Sequence, residues 1–119
     1  MRKRNFYDTK LKEIQELLLM QLDDDDLGYS KRRNVNPDVW GPPGWEFLDK
    51  IVEGYPVRAS HNDKVMMLEF LTSLGHMLPC ERCRYNYKRF SQNNNPIDYV
   101  DSRARVRSWL KRYKNSHKI

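Results

Sequence analysis

The sequence predicts an all-α protein, a four-helix bundle with an amphipathic helical extension at its N-terminus. Apolar residues recur at the spacing of one face of an α-helix through most of the chain. No stretch of useful length alternates apolar and polar residues as a half-buried strand does. Proline and glycine separate the apolar segments, so each helix is short and packs against its neighbours, as in a bundle.

Residues 1–36 form the first predicted section. Between Asp8 and Asp23 the apolar residues follow helical spacing, at Leu11, Ile14, Leu17, Leu18 and Leu22. Four consecutive aspartates, residues 23–26, stand where the helix dipole disfavours negative charge, so we expect the helix to end there. Residues 27–37 have the composition of a linker. We therefore interpret this section as an appendage for docking or dimerisation.

Residues 37–119 form the predicted bundle. Its first helix is expected to start at Pro42 and Pro43 and to end near Gly54, because proline is favoured in the first turn. The second helix is expected to start at Ser60, a good N-cap residue, with Asp63 in the position of a capping-box partner.

The third and fourth predicted helices follow Pro79. The third runs from Cys80 to about Phe90, and the fourth begins near Ser102. The apolar side of the fourth helix consists of Val106, Trp109, Leu110 and Tyr113. A cysteine in the first turn of the third helix would lie beside the free amide groups of that turn.

Composition excludes some classes of function and leaves others open. The chain has 119 residues and a net charge of +6, and residues 80–119 carry eleven Lys and Arg against three Asp and Glu. This charge suits nucleic acid, an anionic cofactor or an acidic protein, and no nucleic-acid-binding signature accompanies it. No apolar run is long enough to span a membrane, and the basic N-terminus lacks the apolar stretch of a secretory signal.

The two cysteines, Cys80 and Cys83, are the strongest local signal. A pair this close in sequence does not staple distant segments, so a disulfide framework is excluded. Zinc needs four ligands, and the three histidines do not have finger-like spacing, so we expect no metal. A redox pair at a helix N-terminus, next to Arg82 and Arg84, is favoured over two cysteines that merely pack in the core.

Two interpretations are open for five aromatic residues, Trp40, Trp45, Tyr55, Phe70 and Trp109. Aromatic residues at helical spacing are usually core residues, and spacing alone favours that interpretation. Between the helices of a bundle they also line flat slots for planar ring systems.

Several motifs in order resemble one known family. They are Trp40-Gly41-Pro42-Pro43-Gly44-Trp45-Glu46-Phe47-Leu48, then Tyr55-Pro56, Phe70 and Leu78-Pro79-Cys80-Glu81-Arg82-Cys83-Arg84. Together they resemble the FAD-linked sulfhydryl oxidases of the Erv/ALR type, most of all the short versions encoded by large DNA viruses. The resemblance covers Trp40 to Asn115. It implies a four-helix bundle that holds FAD between its helices and forms a dimer.

The resemblance also implies roles for individual residues. Cys83 would be the sulfur next to the flavin, and Cys80 the sulfur that meets the substrate. The implied flavin contacts are Gly41, Trp45, Asp49, Tyr55, Trp109, Lys114 and Asn115. Asp49 and Lys114 stand where the family pattern has histidine, and the chain ends without the family's closing helix.

The implied activity is the oxidation of thiols in protein substrates, with electrons passing through the cysteine pair to FAD and then to oxygen. We expect a viral protein in the virion or in the host cytoplasm where particles assemble. The alternative is an oxidase-derived structural protein of the virion that binds no flavin. It is motivated by Asp49, Lys114 and the missing helix. A nucleic-acid-binding module ranks last because it rests on charge alone.

Overall fold

A computed structural model describes residues 30–116, together with positions 9, 12, 13 and 16, which are helical. The rest of the predicted helix from Asp8 to Asp23, and residues 117–119, lie outside the described residues. The elements are α1 (Pro37–Gly54), α2 (His61–Met77), α3 (Glu81–Asn93), a 3₁₀ turn (Pro96–Asp98) and α4 (Arg103–Ser116). The described residues contain no strand, which confirms the all-α prediction, and none of their helices is long and apolar enough to cross a bilayer.

Helix α1 begins earlier than predicted. Its N-cap is Asn36, whose side chain accepts a hydrogen bond from the Asp38 amide at 3.0 Å, and Pro37 occupies the first turn. Pro42 and Pro43 therefore lie inside the helix, and the predicted start there is wrong. Gly41 helps to make this possible, because a residue before proline resists the helical conformation partly through its Cβ, which glycine lacks.

Helix α2 begins as predicted. Ser60 is its N-cap, and the Ser60 hydroxyl accepts from the Asp63 amide at 3.2 Å. The Asp63 carboxylate accepts in return from the Ser60 amide at 2.9 Å, which completes a capping box. Hydrogen bonds from the Ser60 backbone and side chain hold the pKa of Asp63 below its usual value. The predicted cap is confirmed, with aspartate in the place of the more common glutamate.

The core is an aromatic cluster shared by α3 and α4. Trp109 has no exposed surface, and Tyr113 lies over it with ring centroids 6.0 Å apart. Tyr87 packs edge-on against Tyr113 at 4.9 Å and against Trp109 at 5.8 Å, and Phe90 lies 5.3 Å from both α4 rings. Helix α1 packs mainly on α4, and α2 packs mainly on α3 and the 3₁₀ turn. The α3–α4 cluster thus joins two halves of the bundle.

Gly75 of α2 lies against the buried ring of Tyr87, and we predict that Gly75→Ala destabilises the protein. A Cβ at this position would lie 2.6 Å from Tyr87 Cε1 and closer still to Cδ1. The ring has little room to move, because its hydroxyl donates to the Leu71 carbonyl at 2.5 Å. We expect a loss of about 1–3 kcal/mol in the free energy of unfolding, measured by urea denaturation.

Gly44→Ala is the matched control, because it places a Cβ within α1 at 3.9 Å from the Trp40 side chain, an ordinary contact. Alanine is the better helix former, so this change should leave stability equal or raise it by up to about 1 kcal/mol. Equal midpoints for the two variants would contradict the close packing of Tyr87 on α2.

Tyr55 generates a prediction about alkaline pH. Its hydroxyl donates to the Val100 carbonyl at 2.6 Å, and burial, followed by the charges of Asp63 and Asp101, raises its pKa to about 12. Burial also raises the pKa values of Tyr87 and Tyr113. Since the unfolded state releases these protons first, stability is complete below about pH 10 and falls above it.

We therefore expect the urea midpoint to decrease progressively from about pH 10 upward. Tyr55→Phe removes one of the raised groups. This variant should be less stable near neutral pH, by about 1 kcal/mol for the lost hydrogen bond. Its further loss above pH 10 should be smaller than that of the wild type. The idea fails if the two proteins lose stability in parallel over this range.

Candidate redox site at Cys80 and Cys83

Cys80 and Cys83 are joined by a disulfide at the start of α3. Their Cα atoms are 5.1 Å apart, within the range that a disulfide spans. Cys80 is the N-cap of α3, one position before the first turn in which it was predicted, and its Sγ accepts from the Cys83 amide at 3.2 Å. The described residues contain no other cysteine and no cluster of His, Cys, Asp or Glu that suits a metal.

The two sulfur-bearing residues have different surroundings. Cys80 is half-buried and lies in an open surface depression. The other residues that line the depression are Asn34, Glu81, Arg82 and Tyr85. Cys83 is absent from that lining and packs against the hydrophobic core. Both cysteines are partly buried, but Cys80 lines the depression and can be reached from it, whereas Cys83 contacts the core.

Residues 32–35 form a strap across the loop that precedes the disulfide. The Arg32 guanidinium donates to the carbonyl of His76 at the end of α2. The Asn34 side chain accepts from the Glu81 amide at 2.8 Å, and the Val35 amide donates to the Pro79 carbonyl at 2.7 Å. This segment was predicted to be a linker, but it is bonded to the bundle on both sides of Cys80.

Asn34 is the site residue that sequence reasoning missed. It is separated from Glu81 by 47 residues, and it satisfies one of the free amides at the start of α3. The N-cap residue, Cys80, uses its Sγ to accept from the Cys83 amide, so the Glu81 amide needs a different acceptor. A capping side chain from a distant segment has no local sequence signal, so only the structure reveals it.

The two arginines near the disulfide differ in role. Arg84 is buried, and its guanidinium donates to the Leu78 carbonyl at 2.7 Å. This bond fixes the loop that precedes Cys80. Arg82 is exposed at the rim of the depression. Its charge, with the amides of the first turn of α3, favours a thiolate on Cys80.

One face of α1 carries three of the predicted flavin contacts. Gly41, Trp45 and Asp49 are spaced four apart and so share a side of the helix. A Cβ at Gly41 would meet nothing within 4 Å, so the backbone is open there. The Trp45 ring lies 5.3 Å from Tyr113, and the Lys114 ammonium lies 5.7 Å from the centre of the Trp45 ring.

The remaining predicted contacts lie elsewhere. Trp109 is fully buried, and its indole donates to the Asn94 carbonyl at 2.7 Å. Tyr55 is buried near the opposite end of α1. Both rings lie in the core and bond to backbone carbonyls of the chain. Asn115 is exposed near the end of α4, one residue beyond Lys114.

We predict that Asn34→Ala lowers the free energy of unfolding by about 1 kcal/mol, the usual cost of losing a capping side chain. It should also speed hydrogen exchange of the Glu81 amide, which loses its acceptor. Asn93→Ala is the control, since Asn93 is also exposed but bonds only within its own helix, to Arg89. Unchanged exchange at Glu81 in Asn34→Ala would show that the strap does not cap α3.

Comparison with known proteins agrees with this geometry. The model of the Erv1 / Alr family matches residues 43–117. The probable FAD-linked sulfhydryl oxidase R368 of Acanthamoeba polyphaga mimivirus is 32% identical over 77 residues, which cover 63% of this chain and 53% of that protein. The mitochondrial FAD-linked sulfhydryl oxidase ERV1 of Saccharomyces cerevisiae is 29% identical over 76 residues, 62% of this chain and 39% of that protein.

The chain thus spans about half or less of the length of these relatives. The matched region contains all four residues from Cys80 to Cys83 and most of the four helices. It excludes the strap, which lies before residue 43. A family match over more than half of the chain, on a helical bundle with the disulfide at a helix start, establishes the relationship: the chain belongs to the Erv1/Alr family.

Proposed function

We propose that the protein is a thiol oxidase that forms disulfide bonds in protein substrates. The observation that carries the proposal is the asymmetry of the disulfide at the start of α3. Cys80 opens onto a surface depression, and Cys83 packs against the core. In such a centre, a substrate thiol reacts with Cys80, and the electron pair is transferred to Cys83. The names of both relatives, FAD-linked sulfhydryl oxidases, support the same activity.

The chain's own residues account for the exchange steps. A substrate thiolate attacks Cys80 Sγ, the bond to Cys83 breaks, and its electron pair leaves with Cys83 as a thiolate. A second substrate thiolate then attacks the substrate sulfur of the mixed disulfide and displaces Cys80 as a thiolate. The substrate has lost two electrons and gained a disulfide, and the two electrons now reside on the sulfurs of Cys80 and Cys83.

Local structure favours the thiolate on Cys80. Cys80 Sγ already accepts from the Cys83 amide at 3.2 Å, and the first turn of α3 adds the positive end of its dipole. Arg82 contributes a full positive charge at the rim. Since a stabilised thiolate is a better leaving group, this environment speeds displacement of Cys80 from the mixed disulfide.

The α1 face fits FAD in its chemistry. Gly41 leaves room beside the backbone, Trp45 offers an aromatic surface, and Lys114 offers a cation for a pyrophosphate. We propose that these three residues, with Asp49 and Asn115 beside them, hold the cofactor. When bound, FAD supplies the acceptor for the electron pair and passes it to oxygen.

The first experiment is the visible absorbance spectrum of the purified protein, recorded before and after addition of dithiothreitol. We expect a flavin spectrum that bleaches with the dithiol and returns in air. Cys83→Ser should retain the flavin spectrum but abolish bleaching. Its free Cys80 thiolate should displace 2-thiopyridone from 2,2′-dithiodipyridine and leave a mixed disulfide on Cys80 that mass spectrometry detects. Cys80→Ser should form no mixed disulfide at position 80.

Asn93→Ala, a change on the exposed end of α3, is the control and should behave as the wild type. Full oxidase activity in both cysteine variants would refute the assignment of the centre. A colourless protein that remains colourless with excess FAD would refute the oxidase and favour the structural virion protein. A viral setting, in the virion or host cytoplasm, is part of the proposal and is supported by the mimivirus relative.

A further inference from the structure

The two segments that surround Cys80 are strongly basic. Residues 30–36 and 76–89 together contain seven Lys and Arg and a single acidic residue, Glu81. The formal charge of these 21 positions equals that of the whole chain, +6. The segments around the reactive sulfur are therefore strongly basic, as is α4, which has six Lys and Arg and no acidic residue.

The strap holds part of this charge at the site. Arg32 is anchored to the His76 carbonyl, and Asn34 to the Glu81 amide. These two anchors fix the backbone of residues 32–34 beside the depression, and Lys31 and Arg33 within this basic run are exposed. Their charges face solvent next to the opening and not the bundle core.

Helix α3 supplies the other side of the opening. Arg82 is exposed and lines the depression with Cys80. About two turns after Arg82, the Arg89 guanidinium lies 5.9 Å from the centre of the Tyr85 ring, and Tyr85 also lines the depression. Glu81 is the one carboxylate in this lining. Cys80 thus lies between two basic segments, the strap and the first turns of α3.

We propose that this basic rim selects acidic protein segments that carry the thiol to be oxidised. The inference rests on the thiol-oxidase function proposed above and adds the class of substrate. A negatively charged segment gains Coulomb attraction on approach, and attraction of this kind raises association rates by tenfold or more, on the order of 10–10³. It also brings the substrate sulfur to Cys80, since the charge surrounds that residue.

A protein substrate suits this surface better than nucleic acid. Two large apolar side chains flank the disulfide, with Met77 67% exposed and Tyr85 60% exposed. Such side chains contact other side chains when a peptide is docked, and aromatic residues and methionine are enriched at protein interfaces. Cys80 lines the depression, and a nucleic acid has no thiol that could react with its sulfur.

The test measures thiol–disulfide exchange, which needs no flavin. The probes are three reduced peptides that share one Cys-Gly-Gly-Cys centre, flanked by Asp and Glu, by Ser, or by Lys and Arg. Each rate of reduction of the full-length protein is divided by the peptide's rate with a neutral disulfide, 2,2′-dithiodipyridine. This division removes differences in the thiolate content of the peptides.

We expect the acidic peptide to react at least about tenfold faster than the basic one at low ionic strength. The ratio should approach one at about 1 M salt, where the Debye length is about 3 Å. This salt test uses the unaltered protein and so does not depend on the folding of any variant. Equal normalised rates at low salt, with exchange still occurring, would overturn the inference and leave the oxidase proposal intact. No exchange with any peptide or with dithiothreitol would overturn both.

Charge-reversal variants locate the effect. Arg33→Glu and Arg82→Glu should each reduce the preference for the acidic peptide several-fold. The matched control is Arg58→Glu, which has the same change in net charge on an exposed residue beyond the far end of α1. The variants are compared at about 0.1 M salt, because that helix has 18 residues and a length of about 27 Å, more than twice the Debye length at this salt concentration.

Retention of the acidic preference in Arg58→Glu, with its loss in the other two variants, supports a local rim. An equal loss in all three would assign the effect to net charge and overturn the proposal. A duplex DNA that competes with the peptides, together with equal peptide rates, would assign the surface to nucleic acid instead. Circular dichroism of each variant confirms that it is folded before rates are compared.

Discussion

The close packing of Tyr87 on the backbone of α2 is the constraint on which the bundle depends. The ring lies where a side chain at position 75 would be, so only glycine leaves room for it. Its hydroxyl satisfies the Leu71 carbonyl, and its edge meets Trp109 and Tyr113 of α4. One residue of α3 therefore links the helix before it to the helix after it. Because Tyr87 is one turn after Cys83, the same packing places the partly buried Cys83 on the core side of α3.

The strap has the complementary effect on Cys80. Packing through Tyr87 controls the inner side of α3, and the bonds from Asn34 and Val35 hold the chain around its first residue. Reduction of the disulfide removes the covalent link between the N-cap, Cys80, and the third helical residue, Cys83. In the reduced protein, noncovalent contacts at both ends must therefore hold this short segment in place. The amides of Glu81 and Cys83 have acceptors, the Asn34 side chain and Cys80 Sγ, that do not require the bond between the two sulfurs. The dithiol can then form without unwinding the helix.

The sequence predicted the helical class, the cap at Ser60 and the redox pair, because each depends on residues close together in the chain. Spacing of this kind is visible without tertiary structure. The start of α1 differs from the prediction because two prolines predict a helix start, while the actual cap, Asn36, lies in a segment with the composition of a linker. The strap could not be predicted at all, because the contact between Asn34 and Glu81 joins residues 47 positions apart. Local patterns carry no information about such pairs.

The aromatic residues differ in how open they are to a planar ligand. Trp109 and Tyr55 match the family motif, and both are buried and bond to carbonyls of the chain.

Trp45 differs from these two residues, because its ring is partly exposed and the Lys114 ammonium lies over it. A planar ring that stacks on Trp45 must displace that cation, at a cost of about 0.5–1 kcal/mol for an exposed cation–π contact. The displaced ammonium then becomes available to a phosphate on the same ligand, and a charge-assisted bond of about 1.5–3 kcal/mol offsets that cost. Lysine at position 114 is thus compatible with a dinucleotide even though it replaces the histidine of the family pattern.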